Sequence, residues 1–151
     1  MINQISTKTR FGWISVFEKQ GKIIKIKFGN LKKQRTSKIL KEFNKKLLKF
    51  FNQKVSNINI PHKMTGSPLQ KKIWGELKKI KVGKTSTYGK IAKKYKLSPR
   101  HVGKICGQNN LLLIVPCHRV IRSDGSLGGF TSVGGIKLKE KLLKFEKNFV
   151  F

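Results

Sequence analysis

The run Leu111-Leu112-Leu113-Ile114-Val115, closed by Pro116, is the feature that most limits how this chain can fold. Five consecutive apolar residues, β-branched at their end, read as a buried strand or extended segment and are too few to cross a bilayer. Pro116 has no N–H to give, so any regular ladder stops there. Cys117 therefore stands where buried chain ends, followed by His118 and Arg119. The thiolate is the nucleophilic form of cysteine, and a neighbouring imidazole or guanidinium lowers the thiol pKa, which makes Cys117 a candidate nucleophile. Adjacent side chains diverge in an extended chain, so Cys117 and His118 meet only if the backbone turns here or a water joins them. The plainer alternative is a buried cysteine that acts as a small hydrophobe.

Charge narrows the partners. Thirty-five Lys and Arg stand against six Asp and Glu, a net +29 over 151 residues, which favours a polyanion such as nucleic acid. The lysines are scattered evenly, so much of the excess is solvated surface and does not locate a binding face. No long basic amphipathic helix stands apart from a foldable core, which argues against a membrane-surface protein. Met1-Ile2-Asn3-Gln4 opens no signal peptide and no apolar run nears spanning length, so an intracellular protein is expected, nucleoid-associated when on DNA. Cys106, Cys117, His62, His101 and His118 show no Cys-x-x-Cys or His-x-x-x-His spacing. Neither a structural zinc site, nor a disulfide, nor a cofactor is expected.

Two lobes are expected, 1–60 as scaffold and 61–151 as the working domain. Phe11–Phe17 and Lys22–Phe28 alternate apolar and polar residues about a Gln20-Gly21 turn, which predicts a hairpin. Ile39, Leu40, Phe43, Leu47, Phe50 and Phe51 recur at helical spacing from Ser37 to Asn52 and would cover it. Trp13 is read as core or lobe contact. Pro61 marks a linker, with His62 solvated in it. Ser67-Pro68 caps a helix carrying Leu69, Ile73, Leu77 and Ile80, flanked by Trp74 as packing. A short helix with Tyr88, Ile91, Ala92 and Tyr95 turns at Lys96-Leu97 into another capped by Ser98-Pro99, with Val102, Ile105 and Cys106 inward: a candidate helix-turn-helix. Gly103 inside that helix costs about 1 kcal/mol relative to Ala, which predicts a close backbone approach there. A last amphipathic helix carries Ile136, Leu138, Leu142, Leu143 and Phe145, and Phe149-Val150-Phe151 would dock as a tail. The fold class expected is α+β: a small lobe of antiparallel strands plus a helix, then a mostly helical, winged-helix-like domain.

Asn109, then Ile114-Val115-Pro116-Cys117-His118-Arg119-Val120-Ile121, then Gly128-Gly129-Phe130 and Lys139-Glu140-Lys141-Leu142-Leu143-Lys144-Phe145-Glu146, resemble the active-site region of the O6-alkylguanine-DNA alkyltransferases. The likeness is continuous from Ser67 to Glu146 and looser before it. It implies a single-turnover DNA repair protein that moves an alkyl group from O6-alkylguanine irreversibly onto Cys117, and leaves open whether O4-alkylthymine is a substrate as well. Its partner would be double-stranded DNA carrying alkylated guanine, bound by a monomer.

The same likeness implies each role. His118 is the base that takes the thiol proton through a water, and Glu146 orients and charges it, consistent with a carboxylate fixing an imidazole tautomer. Tyr88 protonates the departing guanine. Asn109 braces the turn. Arg100 enters the duplex where the extruded base had been, and Tyr88, Ser98 and Gly103 complete the DNA-binding set. The carbonyls of Cys117 and Val120 read the guanine amine. The loop Thr131–Gly135, with Ser132, Val133 and Gly134, closes one pocket wall, and the Val133 N–H meets the alkylated oxygen. Asn110 stands where relatives commonly have proline, and Ser132 and Val133 where some have tyrosine and serine, which leaves pocket size open. Without the resemblance Glu146 would read as a solvated helix residue. Two other classes stay open: a non-enzymatic helix-turn-helix lesion binder, and a Cys-His-Glu hydrolase indifferent to DNA.

Overall fold

The computed structural model describes residues 1–130 and 134–149, and its chain forms two compact units. The first comprises Met1–Thr65 and Asn110–Ile114, the second Gly66–Asn109 and Val115–Phe149. The division falls five residues beyond the expected 60/61 position because the chain after Ile60 is still tied to a strand. Ile23 N–H donates to Pro61 O and Lys63 N–H to Ile23 O, each at 2.9 Å.

In the first unit β1 (Ile2–Thr9), β2 (Gly12–Lys19) and β3 (Lys22–Phe28) form an antiparallel sheet in sequence order. The sequence reading omitted β1, whose Ile2-Asn3-Gln4-Ile5-Ser6-Thr7 lacks a sustained apolar alternation and is ordered by its pairing with β2. Gln20 and Gly21 both have positive φ, 52° and 78°, the backbone a two-residue hairpin turn needs. Helix α1 (Lys38–Phe51) starts where Ser37 accepts the Leu40 N–H, and buries Leu40, Phe43, Leu47, Phe50 and Phe51 against the strands. Trp13 is not core: it remains 38% exposed.

The Leu111–Val115 run is not a strand. Leu111 makes a single bridge to Ile26, whose N–H donates to Asn110 O at 2.8 Å, and Leu113 then turns with φ at 75°. The apolar character is satisfied by burial of all five side chains, with no ladder required.

In the second unit α2 (Pro68–Leu77) carries the full capping box, Ser67 accepting the Gln70 N–H while the Gln70 side chain takes the Ser67 N–H. Trp74 is buried as expected, and its indole N–H donates to Ile105 O at 3.0 Å. Helices α3 (Tyr88–Tyr95) and α4 (Pro99–Gly107) pack on each other across a three-residue turn in which Lys96 is left-handed. Strands β4 (Ser86–Thr87) and β5 (Val120–Ile121) pair in parallel, and α5 (Gly135–Lys147) closes the unit. Ile136 is exposed and lies off the inward stripe of α5. The unit's core is Ile73, Leu77, Ile91, Val102, Ile105, Val115, Val120 and Leu142. Among the described residues no helix is long and apolar enough to cross a membrane.

Candidate active site

Pro116 breaks the chain into a 3₁₀ turn, Cys117–Arg119, and this turn assembles the site. A cavity of about 750 Å³ opens in the second unit, walled by Tyr88 of α3, by Arg100, Gly103 and Cys106 of α4, and by Cys117, Arg122 and Gly128. Cys117 is only 6% exposed, yet its surface faces this cavity. Its approach is braced by Asn109, whose Nδ2 donates to Val115 O at 2.8 Å and whose side chain also hydrogen-bonds the thiol.

The two residues after Cys117 point to one carboxylate. His118 Nε2 lies 2.8 Å from Glu146 Oε2, and Arg119 grips Glu146 with Nε to Oε1 at 2.7 Å and Nη2 to Oε2 at 2.9 Å. The third Arg119 contact, Nη1 to Ile80 O at 2.7 Å, fixes the guanidinium. All three side chains are buried. Burial pulls the Glu146 carboxyl up, but His118 and Arg119 together outweigh it and hold the group down at about 2. Burial pushes His118 below its ordinary value, and the pull of Glu146 does not offset this, so the imidazole is neutral near pH 7. An ionised carboxylate only accepts, which puts the imidazole proton on Nε2 and leaves the Nδ1 lone pair to receive another.

The thiol differs from expectation. Burial pushes Cys117 up, against the opposing pulls of the Asn109 hydrogen bond and the Lys139 charge. Arg119, expected to help ionise it, is spent on Glu146. Cys117 is therefore a thiol at rest and needs a base to become a nucleophile.

Lys139 is the residue that sequence reasoning passed over. It is fully buried on α5, and its Nζ donates to Val120 O at 2.7 Å, to Tyr88 Oη at 3.2 Å and to Gly129 O at 3.3 Å. Burial lowers it to about 8, with Cys117 and Cys106 pulling the other way. The signal was present: Lys139 and Glu146 are seven residues apart on the stripe that carries Leu142 and Leu143. Tyr88 is pushed up to about 12, chiefly by burial and further by the two cysteines, so its hydroxyl keeps its proton.

The remaining expected residues fall unevenly. Arg100 is exposed and lines the cavity, and Ser98 caps α4 by accepting the His101 N–H at 3.1 Å. No tight approach exists at Gly103, where a Cβ would sit 3.9 Å from the Tyr88 ring; the glycine leaves room in the cavity. Val120 is fully buried with its carbonyl already engaged by Lys139, and Gly134 is the N-cap of α5. Ser132 and Val133, like Thr131 and the tail residues Val150 and Phe151, lie outside the described residues. Among the described residues no group of three or more His, Cys, Asp or Glu could hold a metal ion.

Residues 68–148, more than half of the chain, match the family model described as 6-O-methylguanine DNA methyltransferase, DNA binding domain. The chain belongs to this family. Among relatives, the methylated-DNA--protein-cysteine methyltransferase of Saccharomyces cerevisiae is 45% identical over 84 residues, 54% of this chain and 44% of that protein. The Methanocaldococcus vulcanius protein of the same name is 46% identical over 88 residues, 58% of this chain and 53% of its own. The chain thus spans about half the length of the curated methyltransferases it matches. Two solved folds in the family are similar throughout. Mycobacterium tuberculosis OGT in complex with DNA has a TM-score of 0.84 at 24% identity, covering 97% of this chain and 94% of that one. An O6-methylguanine DNA methyltransferase from Methanococcus jannaschii has a TM-score of 0.72 at 26% identity, covering 97% and 95%. The solved structures carry the α+β fold, and the family model carries the family.

Proposed function

We propose that the protein repairs DNA by moving the alkyl group of an O6-alkylguanine onto Cys117, with O4-alkylthymine as a second substrate, and that each molecule acts once. The observation that carries this reading is the arrangement at Cys117: a cysteine on a cavity wall, followed by a buried histidine whose Nε2 lies 2.8 Å from the Glu146 carboxylate.

An O6-alkyl group is inaccessible within a duplex, so the nucleotide must leave the stack, at a cost of a few kcal/mol. The cavity, large enough for a base, receives it. His118 Nδ1 takes the Cys117 proton through a water, and Glu146 stabilises the imidazolium that results. The thiolate attacks the alkyl carbon; the S–C bond forms as the C–O6 bond breaks, and its electron pair goes to the guanine. Tyr88 passes its hydroxyl proton to the base, and the Lys139 ammonium, 3.2 Å away, stabilises the phenolate. The imidazolium and the phenolate balance in charge and return to their resting forms by proton exchange with water. The thioether has no base-labile bond, so the acceptor stays alkylated. Arg100, on the cavity rim, fills the gap left by the extruded base.

The test is intact-protein mass spectrometry after incubation with duplex DNA containing O6-methylguanine. The expected result is one added methyl group, mapped to the Cys117 peptide and absent from Cys117→Ala. Tight binding of the lesion with no mass gain would replace this reading with a non-enzymatic lesion binder.

A further inference from the structure

Among the described residues the first unit contributes none of the cavity lining, yet it carries its full share of the charge. Residues 1–65 hold sixteen Lys or Arg against Glu18 and Glu42 alone. Glu18 is committed locally, accepting from Asn3 Nδ2 at 2.9 Å and from the Gly21 N–H at 3.0 Å.

The excess has a geometry on α1. Lys38, Lys41, Lys45 and Lys49 follow one another at intervals of three and four residues, which puts them in a single stripe on the face opposite Leu40, Phe43 and Leu47. All four are exposed. At 1.5 Å per residue the stripe runs about 16 Å, close to five steps of the 3.4 Å axial rise of one DNA strand. Among the described residues none of the four forms an ion pair, and Glu42, the one acid on the helix, is exposed and pairs with none of them.

Local stability does not account for this pattern. Like charges three and four residues apart destabilise a helix, and cations in its first turn oppose its dipole, which favours an acid there; α1 has none. A solvated surface would lower that cost by interleaving carboxylates, as Glu140 and Lys144 do on α5. A polyanion laid along the stripe removes the repulsion and releases its own counterions.

We propose that this face of α1 is a second nucleic-acid contact, a sequence-independent phosphate-binding stripe on the first unit that adds to the affinity of the whole protein for duplex DNA. It does not depend on alkyl transfer.

The experiment measures binding of an undamaged duplex of about 30 base pairs by fluorescence anisotropy against salt concentration. It compares the full-length protein with a variant carrying Lys38→Gln, Lys41→Gln, Lys45→Gln and Lys49→Gln. A control of equal net charge carries Lys8→Gln, Lys22→Gln, Lys25→Gln and Lys63→Gln, all exposed and off the stripe. Each lost phosphate contact lowers the slope of log affinity on log salt by about 0.9, so the stripe variant is expected to lose about 2 to 4 and the control less than about 1. Equal losses in both variants would reduce the effect to net charge, and no loss in the stripe variant would remove the contact; either overturns the proposal. So does a stripe variant that keeps its DNA slope and instead loses binding to vesicles of anionic phospholipid. Transfer to Cys117 from free O6-alkylguanine base is followed in parallel; its failure in the unmodified protein bears on the proposed repair reaction and leaves the stripe standing.

Discussion

His118 Nε2 sits 2.8 Å from Glu146 Oε2, and Arg119, the next residue in the chain, holds both oxygens of the same carboxylate. One buried anion thus orients the imidazole and neutralises the guanidinium. Glu146→Gln removes the charge while keeping the shape, and leaves Arg119 as a buried cation without a counterion. Loss of one partner from such a pair costs on the order of 3–5 kcal/mol. The imidazolium loses its support, so transfer to Cys117 should slow by about a hundredfold or more. Denaturant unfolding and single-turnover rates check both effects. A variant as stable as the parent, or transferring at a similar rate, would separate Glu146 from the role given to it.

The same cluster makes the fold sensitive to acid. Glu146 is held at about 2 against an ordinary 4.5, so its contribution is fully present above pH 4.5 and is lost as pH falls from there toward 2. His118 is depressed below 6.5 by burial, so the unfolded chain takes up its proton first and stability begins to fall once pH drops below 6.5. Both shifts act in one direction. Unfolding midpoints measured between pH 8 and pH 3 should decline in two stages, the second smaller in Glu146→Gln, where Glu76, also held at about 2, still contributes.

For the rate, the sign of the His118 shift means that the base stays unprotonated through pH 6.5, and transfer loses speed only on the acid side of that value. On the alkaline side Lys139, held at about 8, gives up its charge before Tyr88, at about 12, gives up its proton. The profile should therefore be flat from pH 6.5 to about 7 and fall through about 8, with Lys139→Met abolishing the alkaline limb and slowing transfer about tenfold. Tyr88→Phe, which removes the proton donor itself, should cost about a hundredfold. Equal and small effects of the two substitutions would show that neither residue serves the leaving base.

Arg100 tests the extrusion step separately from the chemistry. It is exposed on the rim of the cavity near the start of α4 and makes none of the contacts that hold Cys117 or His118. Arg100→Ala should slow repair of a duplex lesion by about ten- to a hundredfold, since extrusion costs a few kcal/mol, and leave reaction with free alkylated base unchanged. Equal losses on both substrates would place Arg100 in the pocket chemistry.

What could be read from the chain depended on whether the determinant was local. Helix α1, the Ser67 and Ser98 caps and the Gln20-Gly21 turn follow from residue spacing and side-chain chemistry a few positions apart, and all are in the structure. Strand β1 was missed because its order comes from pairing with β2. The Leu111–Val115 run was misread as extended chain because burial satisfies apolar side chains in a turn as well as in a strand. The pairing of Arg119 with Glu146 spans 27 residues, and the contact of Lys139 with Tyr88 spans 51, so neither could come from a local pattern. A charged residue on the apolar stripe of α5 was the trace they left.

Two glycines facing one tyrosine give the last prediction. Gly128 has φ at 75°, a backbone that L side chains resist, and a Cβ there would come within 3.0 Å of Tyr88 Cε2 and 3.2 Å of its hydroxyl oxygen. A Cβ at Gly103 would meet the other edge of the same ring at 3.9 Å, an ordinary van der Waals contact. Gly128→Ala should cost about 1–3 kcal/mol in strained backbone, displace the tyrosine and slow transfer. Gly103→Ala should leave stability unchanged or slightly improved, since alanine favours the helix by up to about 1 kcal/mol. Its added methyl group takes space from the cavity, so it should discriminate against bulky O6-benzyl adducts more than against methyl. Thermal unfolding and paired rates on the two adducts distinguish the positions. Similar behaviour of the two variants would mean that the Tyr88 ring is not held between these walls.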